Sequence, residues 1–403
     1  MRRWSRWRRG QIIILTLAMT LGLPGCTRDL AEVDSINLVL AFGVDEVANM
    51  VRVSAEIVLA QGAQGGAQQA TGPQYMVADA TAPTIEQAMN KLNTQVPREI
   101  FLPHNSLVIF GKQYAEHGID RSFDYLDRDR NFRRNELILV TSGEARDLLK
   151  APTTPEGINA MGLRQLVEQY SQNSPVAMSQ QLRVIREYMQ ASNAPIMTQL
   201  DLDSKNSPVV SGVGIFQGPQ LVGSLNTEQS QGLFWMIGPT RDIVLNVPCQ
   251  GKSGVDIGST FRIMATKVKV SPIITGGKAN VHVRLRGKAE LERACPDLQL
   301  NVEAMKKMEQ ALNQEVELRM RETMKTLQDK RTDTAQFGTA VFQQHPRLWR
   351  QYSDEWDNLF QHATVTYDVK IHLLRTGLSA TGPTVDYTRA QLPPKSGREA
   401  KVK

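Results

Sequence analysis

The sequence is poor in cysteine and, beyond its first 26 residues, has no long apolar run. It contains 3 cysteines in 403 residues, and neither Cys249 nor Cys295 has a second Cys or His at the spacing of a zinc site. No later apolar run approaches the roughly 20 residues that a transmembrane helix needs. Beyond residue 26 we therefore predict neither a metal site nor a membrane-spanning segment.

The motifs of common enzyme classes are also missing. There is no Gly-x-Ser-x-Gly, His-Glu-x-x-His, Cys-x-x-Cys or Walker loop. Asp127, Asp129 and Asn131 stand at the first ligand positions of an EF-hand loop. Phe132 replaces the Gly that such a loop requires and Ile138 replaces the Glu, so this calcium site is rejected. We predict a protein that is not an enzyme and that needs no cofactor or metal.

The excess of basic residues is confined to the N-terminus. The formal net charge is +6, from 47 Lys and Arg against 41 Asp and Glu, and five of the arginines lie among the first nine residues. Without these five, 42 basic residues stand against 41 acidic ones, a net charge of +1. The composition therefore gives no indication of nucleic acid as a partner.

The N-terminus carries the pattern of an export signal. The arginines precede a short apolar run at 12–19, which is the order found in signal peptides. The run ends in Leu23-Pro24-Gly25-Cys26, which resembles the lipobox of bacterial lipoproteins, where the Cys thiol takes a diacylglycerol. We predict a signal peptide at 1–25 and a lipid anchor on Cys26, since two or more acyl chains hold a protein stably on a membrane.

The length of the remaining chain, 26–403, predicts two or three domains at about 100–200 residues each. Strands and helices are interspersed, so the predicted fold class is α+β, a mixed α/β multidomain lipoprotein with three domains. The predicted division is an N-terminal α/β domain at 26–150, a middle domain at 151–250, a C-terminal α/β domain with a long helix at 251–378, and a disordered basic tail at 379–403.

Apolar periodicity predicts the elements of the N-terminal half. An alternating pattern indicates a hairpin at 36–59 with its turn near 46–49, and Thr84 is placed to cap a helix whose apolar face begins at Ile85. Further predictions are a mobile Gly/Ala/Gln-rich loop at 61–72, a strand at 75–80, a buried strand at 107–111, a salt-bridged helix end at 121–134 leading into a strand at 136–141, a helix opening at 143–149, and helix with polar linker at 151–205, of which 193–207 is rich in breakers.

The C-terminal half is predicted to contain mostly strands and one long helix. The segment 281–287 alternates, so one face should be exposed to water, with His282 on it. A stripe of apolar residues, many of them Met, predicts an amphipathic helix near 301–331 that packs across its own sheet rather than on a partner. The remaining predictions are strands at 209–216, 221–225, 242–247, 260–270, 280–289 and 365–374, and an aromatic helical segment after residue 337 with a break at His345-Pro346.

Cys249 and Cys295 allow two interpretations. An even pair of cysteines in an exported protein permits a disulfide. Two thiols 46 residues apart can equally be separate small core residues. The sequence leaves this choice open.

A series of short blocks extends over nearly the whole chain after the signal peptide: Cys26 with Gly43-Val44-Asp45, 104–111, Gly118-Ile119, Arg128-Asp129, Arg133, 212–216, Leu221-Val222-Gly223, 228–235, Val247-Pro248-Cys249, Phe337-Gly338, Trp349, Trp356, Phe360 and Arg375-Thr376-Gly377. In their order and spacing these blocks resemble the Ger(x)C family of spore germination lipoproteins, the C subunits of nutrient germinant receptors.

The resemblance implies a non-enzymatic subunit required for nutrient-triggered germination. It implies attachment through Cys26 to the outer face of the cell membrane, which in the spore is the inner membrane. The implied partners are two multi-pass receptor subunits of the A and B types and a small membrane protein. The resemblance also implies a body of three mixed α/β domains.

An alternative function belongs to another class of protein. A solute-binding lipoprotein, which delivers a small ligand to a transporter, has the same kind of signal and anchor. Its body would have two hinged lobes around a polar cleft. Direct and tight binding of a small ligand would favour this alternative.

Overall fold

The computed structural model describes residues 36–59, 74–129, 131–153, 155–174, 177–249, 258–295 and 301–374. Contacts divide the chain after Ile36, and Asn37–Lys403 forms one unit. The predicted signal peptide, Cys26, the loop predicted at 61–72 and the predicted tail lie outside the described residues.

Strands and helices alternate through the first half of the described chain, as the sequence predicts. In order they are β1 Ile36–Val47, β2 Met50–Val58, β3 Tyr75–Ala82, α1 Ile85–Gln95, β4 Glu99–Phe101, β5 Leu107–Phe110, α2 Lys112–His117, α3 Asp120–Arg128, β6 Leu137–Val140, α4 Ala145–Lys150, α5 Asn159–Ser171, α6 Gln181–Tyr188, β7 Ile196–Leu202, β8 Pro208–Gln217 and β9 Gln220–Asn226.

One nine-stranded sheet contains all of these strands. Its order is β3-β2-β1-β5-β6-β7-β8-β9, with β4 paired to β1. The central strands β1, β5, β6 and β7 run parallel, and antiparallel strands flank them on both sides. The parallel strands are joined by helical connections, which such strands need.

Local sequence signals explain several element ends. The predicted hairpin turn lies at Ala48 and Asn49, which both have positive φ, 51° and 60°, the conformation of a type I′ turn. The Thr84 side chain accepts a hydrogen bond from the backbone N–H of Gln87 and so caps α1. The helix predicted within the charged block is α3, and Arg128 and Arg134 pair with Asp124 and Asp127 there.

The prediction of a breaker-rich linker at 193–207 is wrong over β7. The five residues Ile196–Leu200 of this strand are buried in the large sheet. Polar Thr198 is buried because its hydroxyl donates to the carbonyl of Ala177, and Gln199 donates to Asp201 at 2.6 Å. These partners satisfy side chains whose polarity had indicated a linker.

The second half forms a smaller sheet covered by helices. Its elements are α7 Thr227–Ile237, β10 Arg241–Pro248, β11 Gly258–Thr275, β12 Lys278–Arg293, α8 Val302–Asp329, α9 Phe337–Gln344, α10 Pro346–Tyr352, a 3₁₀ turn Ser353–Glu355, α11 Trp356–Gln361 and β13 Thr364–Leu373. The sheet has the order β10-β11-β12-β13, and only the β12–β13 pair is parallel.

The long helix α8 packs on its own part of the chain, as predicted. Its apolar stripe is buried with the inner faces of β11, β12 and β13 in one core. Gly232 of α7 lies close to α8, since a Cβ at this position would be 2.7 Å from the carbonyl oxygen of Arg319. The buried stripe of α8 consists of Ala304, Met308, Leu312, Val316, Met320, Thr323, Met324 and Leu327.

The alternation predicted at 281–287 is confirmed, since Val281, Val283 and Leu285 are buried. His282 lies on the opposite face, where its Nδ1 is 3.0 Å from the Thr366 hydroxyl. The domain boundaries predicted at 150/151 and 250/251 fall within the spans of the two sheets. The division into three domains stays a prediction.

Candidate functional site

The carboxyl edge of the parallel strands is where open α/β sheets bind ligands. Here Asp45, near the end of β1, fills part of that edge. Its Oδ1 accepts a hydrogen bond from the backbone N–H of Ala145 at 2.7 Å, and its Oδ2 accepts one from Arg146 at 3.0 Å. Gly111 follows β5, and a Cβ there would be 2.0 Å from Asp45 Oδ1. The chain's own carboxylate thus occupies the first turn of α4.

Two further features complete this edge. Arg52 lies 3.2 Å from Asp45 and 2.6 Å from Glu144, although burial still raises the pKa of Asp45 above its ordinary value. Asp201 accepts hydrogen bonds from the backbone N–H of Ser142 at 2.7 Å and from the Thr141 hydroxyl at 3.1 Å. These carboxylates hold strand and helix ends together, which is a structural role.

Two glutamates are buried elsewhere in the large sheet. Glu56 on β2 accepts a hydrogen bond from the backbone N–H of Ala160 at 2.9 Å, in the first turn of α5. Glu136 accepts one from the N–H of Arg133 at 3.0 Å. Burial raises the pKa of each glutamate to about 7. Both therefore ionise within the folded protein near neutral pH.

Glu56 is expected to make stability depend on pH. Its pKa is about 7 in the folded state against 4.5 ordinarily, so the folded state binds more protons between these values. The free energy of unfolding should fall as pH rises through this window, by roughly 2–3 kcal/mol for a shift of this size. Urea unfolding between pH 5 and pH 8 should show that Glu56→Gln removes this part of the fall. If the free energy of unfolding of Glu56→Gln fell with pH as steeply as that of the wild type, this would contradict the raised pKa of Glu56.

Another buried carboxylate, Asp333, is the centre of a hydrogen-bonded cluster. Its Oδ2 accepts from the Ser192 hydroxyl at 2.7 Å, from Trp356 Nε1 at 2.9 Å and from the N–H of Gly338 at 2.5 Å. Its Oδ1 accepts from the N–H of Phe337 at 2.9 Å. Burial raises the pKa of Asp333 to about 6, although these donors oppose the rise. We call these five residues the Asp333 cluster.

The aromatic blocks that carry the family resemblance meet at this cluster. The rings of Trp349 and Trp356 are 5.6 Å apart, and those of Phe337 and Phe360 are 6.2 Å apart. Gly338 makes room for them, because a Cβ there would be 2.6 Å from Trp356 Nε1. The cluster therefore fixes α9, α10 and α11 against the segment that precedes β7.

Asp333 and Ser192 were not predicted from the sequence. Asp333 lies between two helices, with a hydroxyl residue on either side in Thr332-Asp333-Thr334. An Asp just before a helix is a typical capping residue, and this signal could have found it. Ser192 carries no comparable signal, because its partner is 141 positions away in sequence.

Of the predicted site residues, the structure describes two. Cys249 follows β10 and Cys295 follows β12, and their sulfur atoms are joined in a disulfide with a Cα–Cα distance of 5.9 Å. Ser259 on the intervening β11 accepts a hydrogen bond from the backbone N–H of Cys295 at 3.1 Å. Cys26 lies outside the described residues.

Removal of this bridge is expected to destabilise the small sheet. A bridge that closes 46 positions restricts the unfolded chain, and its loss should cost about 3–4 kcal/mol. We expect the Cys249→Ser/Cys295→Ser variant of residues 27–403 to unfold at lower urea concentration than the wild type. Dithiothreitol should lower the urea concentration at which the wild type unfolds and should leave that of the variant unchanged. Titration of two free thiols in the native, unreduced wild type would contradict the bridge.

Two grooves meet near Arg183 on α6. One has a volume of about 430 Å³ and the other about 400 Å³. The acidic group in the second groove, Glu187, already accepts hydrogen bonds from Arg183 at 2.8 Å and from the N–H of Ile196 at 3.3 Å. The polar residues that line the second groove are Arg183, Arg186, Glu187, Gln190, Gln336, Thr339 and Gln343.

Within the described part of the chain, no group of three or more His, Cys, Asp or Glu is arranged to hold a metal ion. No helix among these residues is both long and apolar enough to cross a membrane.

Successive parts of the chain match two families of known proteins. Residues 29–202 match the family described as the spore germination protein N-terminal domain, and residues 211–377 match the family described as spore germination B3/GerAC like, C-terminal. Spore germination protein KC of Bacillus subtilis (strain 168) is 22% identical over 398 residues, covering 92% of this chain and 97% of the relative. Spore germination protein YndF of the same organism is 25% identical over 335 residues, covering 79% and 80%.

A solved structure shows the same fold. The crystal structure of the GerBC protein aligns with a TM-score of 0.56 at 17% sequence identity, covering 83% of this chain and 96% of that one. The two family matches succeed each other over nearly the whole of residues 29–377. The mixed α/β architecture with two sheets agrees with that neighbour, and the chain belongs to the Ger(x)C family of spore germination proteins.

Proposed function

We propose that this chain is a lipid-anchored, non-enzymatic subunit of a germinant receptor, required for nutrient-triggered spore germination. The observation that carries the proposal is the lipobox-like Leu23-Pro24-Gly25-Cys26 at the start of a chain of this family. Family membership supports a role in germination, and the lipobox supports a tether. The subunit works by binding partner proteins, namely the multi-pass A-type and B-type subunits.

The tether limits where the folded body can lie. Ten residue steps separate Cys26 from Ile36, where β1 begins. An extended chain covers at most about 3.6 Å a residue, so the start of β1 stays within about 36 Å of the lipidated residue. The body is held on the outer face of the membrane, beside its embedded partners. Its high local concentration favours assembly.

The buried carboxylates support a role in binding rather than in catalysis. Asp45 and Asp333 each accept several hydrogen bonds from the chain itself. A catalytic acid or base must instead reach a substrate atom. Both carboxylates therefore stabilise the fold through hydrogen bonds within the chain.

Deletion of the chain from spores tests the role in germination. We expect spores without it to lose the response to the nutrients that its receptor detects, while a non-nutrient trigger still works. Re-expression of the wild-type chain should restore the response. A normal nutrient response in the deletion strain, with no second receptor of the same specificity, would contradict the proposal.

Titration of candidate nutrients against residues 27–403 separates this function from solute binding. The proposed subunit is expected to show no tight binding of its own. A micromolar or better affinity that Arg186→Ala weakens would place a ligand in the groove on α6 and favour the solute-binding lipoprotein.

A further inference from the structure

The outward face of the small sheet is strongly basic. Side chains alternate along β11, β12 and β13, so that the apolar ones point to the helices and the others point outward. Within the stretches 267–269, 284–288 and 368–370 of these strands, six outward positions are Lys or Arg and one is acidic, a formal charge of +5. We call this set the basic face: Lys267, Lys269, Arg284, Arg286, Lys288, Lys370 and Asp368.

Like charges lie opposite each other on this face. Lys267 pairs in register with Arg286, and Lys269 with Arg284. Arg286 also lies opposite Lys370 on β13. Like charges directly opposite on a sheet are destabilising, so the isolated protein carries a repulsion that an anionic partner would relieve.

Asp368 is the one carboxylate among the seven residues of the basic face. Asp368 lies 3.3 Å from Arg284 and 3.9 Å from Lys370, and it also binds Arg286. Lys267, Lys269 and Lys288 are exposed and make no ion pair with any described residue. Towards Arg262 the same face is no longer basic, since Glu290 and Glu292 lie there and Glu292 pairs with Arg262 at 2.6 Å. The excess is therefore confined to one area.

The composition of this face separates lipid from protein or nucleic acid as its partner. None of the outward positions on these described strands is Phe, Tyr or Trp. Protein interfaces are enriched in aromatic residues and depleted of Lys, and single-stranded nucleic acid is bound by stacking on aromatic rings. A flat surface rich in Lys is typical of binding to anionic headgroups, at about 1 kcal/mol per cation.

We propose that the basic face binds the anionic headgroups of the membrane that carries the lipid anchor. Lipid tethering is part of the function proposed above, and it would keep the body beside the headgroups. Binding at the face would orient the body on the membrane, which attachment at a single residue alone cannot do. The headgroup affinity itself does not depend on Cys26.

Vesicle binding by residues 27–403, which contain every described element but no lipid, tests the proposal. This polypeptide should cosediment with phosphatidylglycerol vesicles and much less with phosphatidylcholine vesicles. Binding should weaken steeply between 50 and 500 mM salt, as screening increases. Lys267→Gln/Lys269→Gln/Lys288→Gln should bind on the order of 100-fold more weakly.

Matched variants control for charge and folding. Lys150→Gln/Lys306→Gln/Lys325→Gln removes three exposed lysines from helices α4 and α8 and should bind like the wild type. Replacing the three lysines of the basic face by Arg should keep binding. Equal loss in both Gln variants, or no preference for anionic vesicles, would overturn the proposal. Retention on an acidic protein or nucleic acid without vesicle binding would also overturn it.

Discussion

Replacement of Asp333 by alanine is expected to lower the free energy of unfolding by about 4 kcal/mol or more. Alanine leaves the hydroxyl of Ser192, Nε1 of Trp356 and two backbone N–H groups without their acceptor. A buried donor without a partner costs about 1–3 kcal/mol. Because Ser192 precedes β7 and the other donors follow α8, the loss also weakens contact between distant segments of the chain.

Urea unfolding of residues 27–403 measures this effect. Asp333→Asn keeps one acceptor oxygen and should cost less than the alanine variant. Asp354→Ala removes an exposed carboxylate in the same region and should change stability by no more than about 0.5 kcal/mol. If Asp333→Ala stays within about 1 kcal/mol of the wild type, the Asp333 cluster does not contribute as the structure indicates.

Replacement of Cys26 by alanine is expected to release the chain from the membrane and to abolish its part in germination. Without the thiol no diacylglycerol can be attached, and acyl chains contribute about 0.8 kcal/mol for each buried CH₂. The variant should shift from the membrane fraction to the soluble fraction.

Fractionation of spores after high-salt washing, together with a nutrient germination assay, measures both effects. Thr27→Ala, a neighbouring change that leaves the thiol, should behave like the wild type. The high-salt wash removes contacts made through the basic face, so the result reports the lipid alone. If Cys26→Ala stays in the membrane fraction and supports normal germination, the tether is not needed.

Sequence periodicity predicted the elements whose two faces differ. In α8, apolar residues recur every three or four positions because one side packs on the core. In β12, buried Val281, Val283 and Leu285 alternate with residues that are half-buried or exposed, because one side faces water. The period follows directly from helix or strand geometry, so a single sequence reveals such elements.

Strand β7 and the Asp333 cluster could not be predicted in this way. Thr198 and Gln199 are polar yet buried, because their partners come from other elements of the fold. Ser192 meets Asp333 across 141 positions, and Asp45 meets Ala145 across 100. Such contacts depend on the tertiary structure, and local patterns carry no information about their partners.

The predicted lipidation site differs from these residues, because its signal is local in sequence. Cys26 was predicted from adjacent residues, because a lipobox is a short linear motif. The basic face was invisible in the overall charge, since the chain without its signal arginines has a net charge of only +1. It appears only when the register brings the cations of three strands side by side.

Affinity capture of the lipidated chain from spore membranes tests whether this chain assembles with membrane-embedded receptor subunits. The chain would carry a C-terminal tag, and captured proteins would be identified by mass spectrometry, with an unrelated tagged spore lipoprotein as control. If the chain is the proposed receptor subunit, multi-pass receptor subunits of the A and B types will accompany it and not the control. Capture of a transporter instead, or of no multi-pass protein above the control, would contradict it.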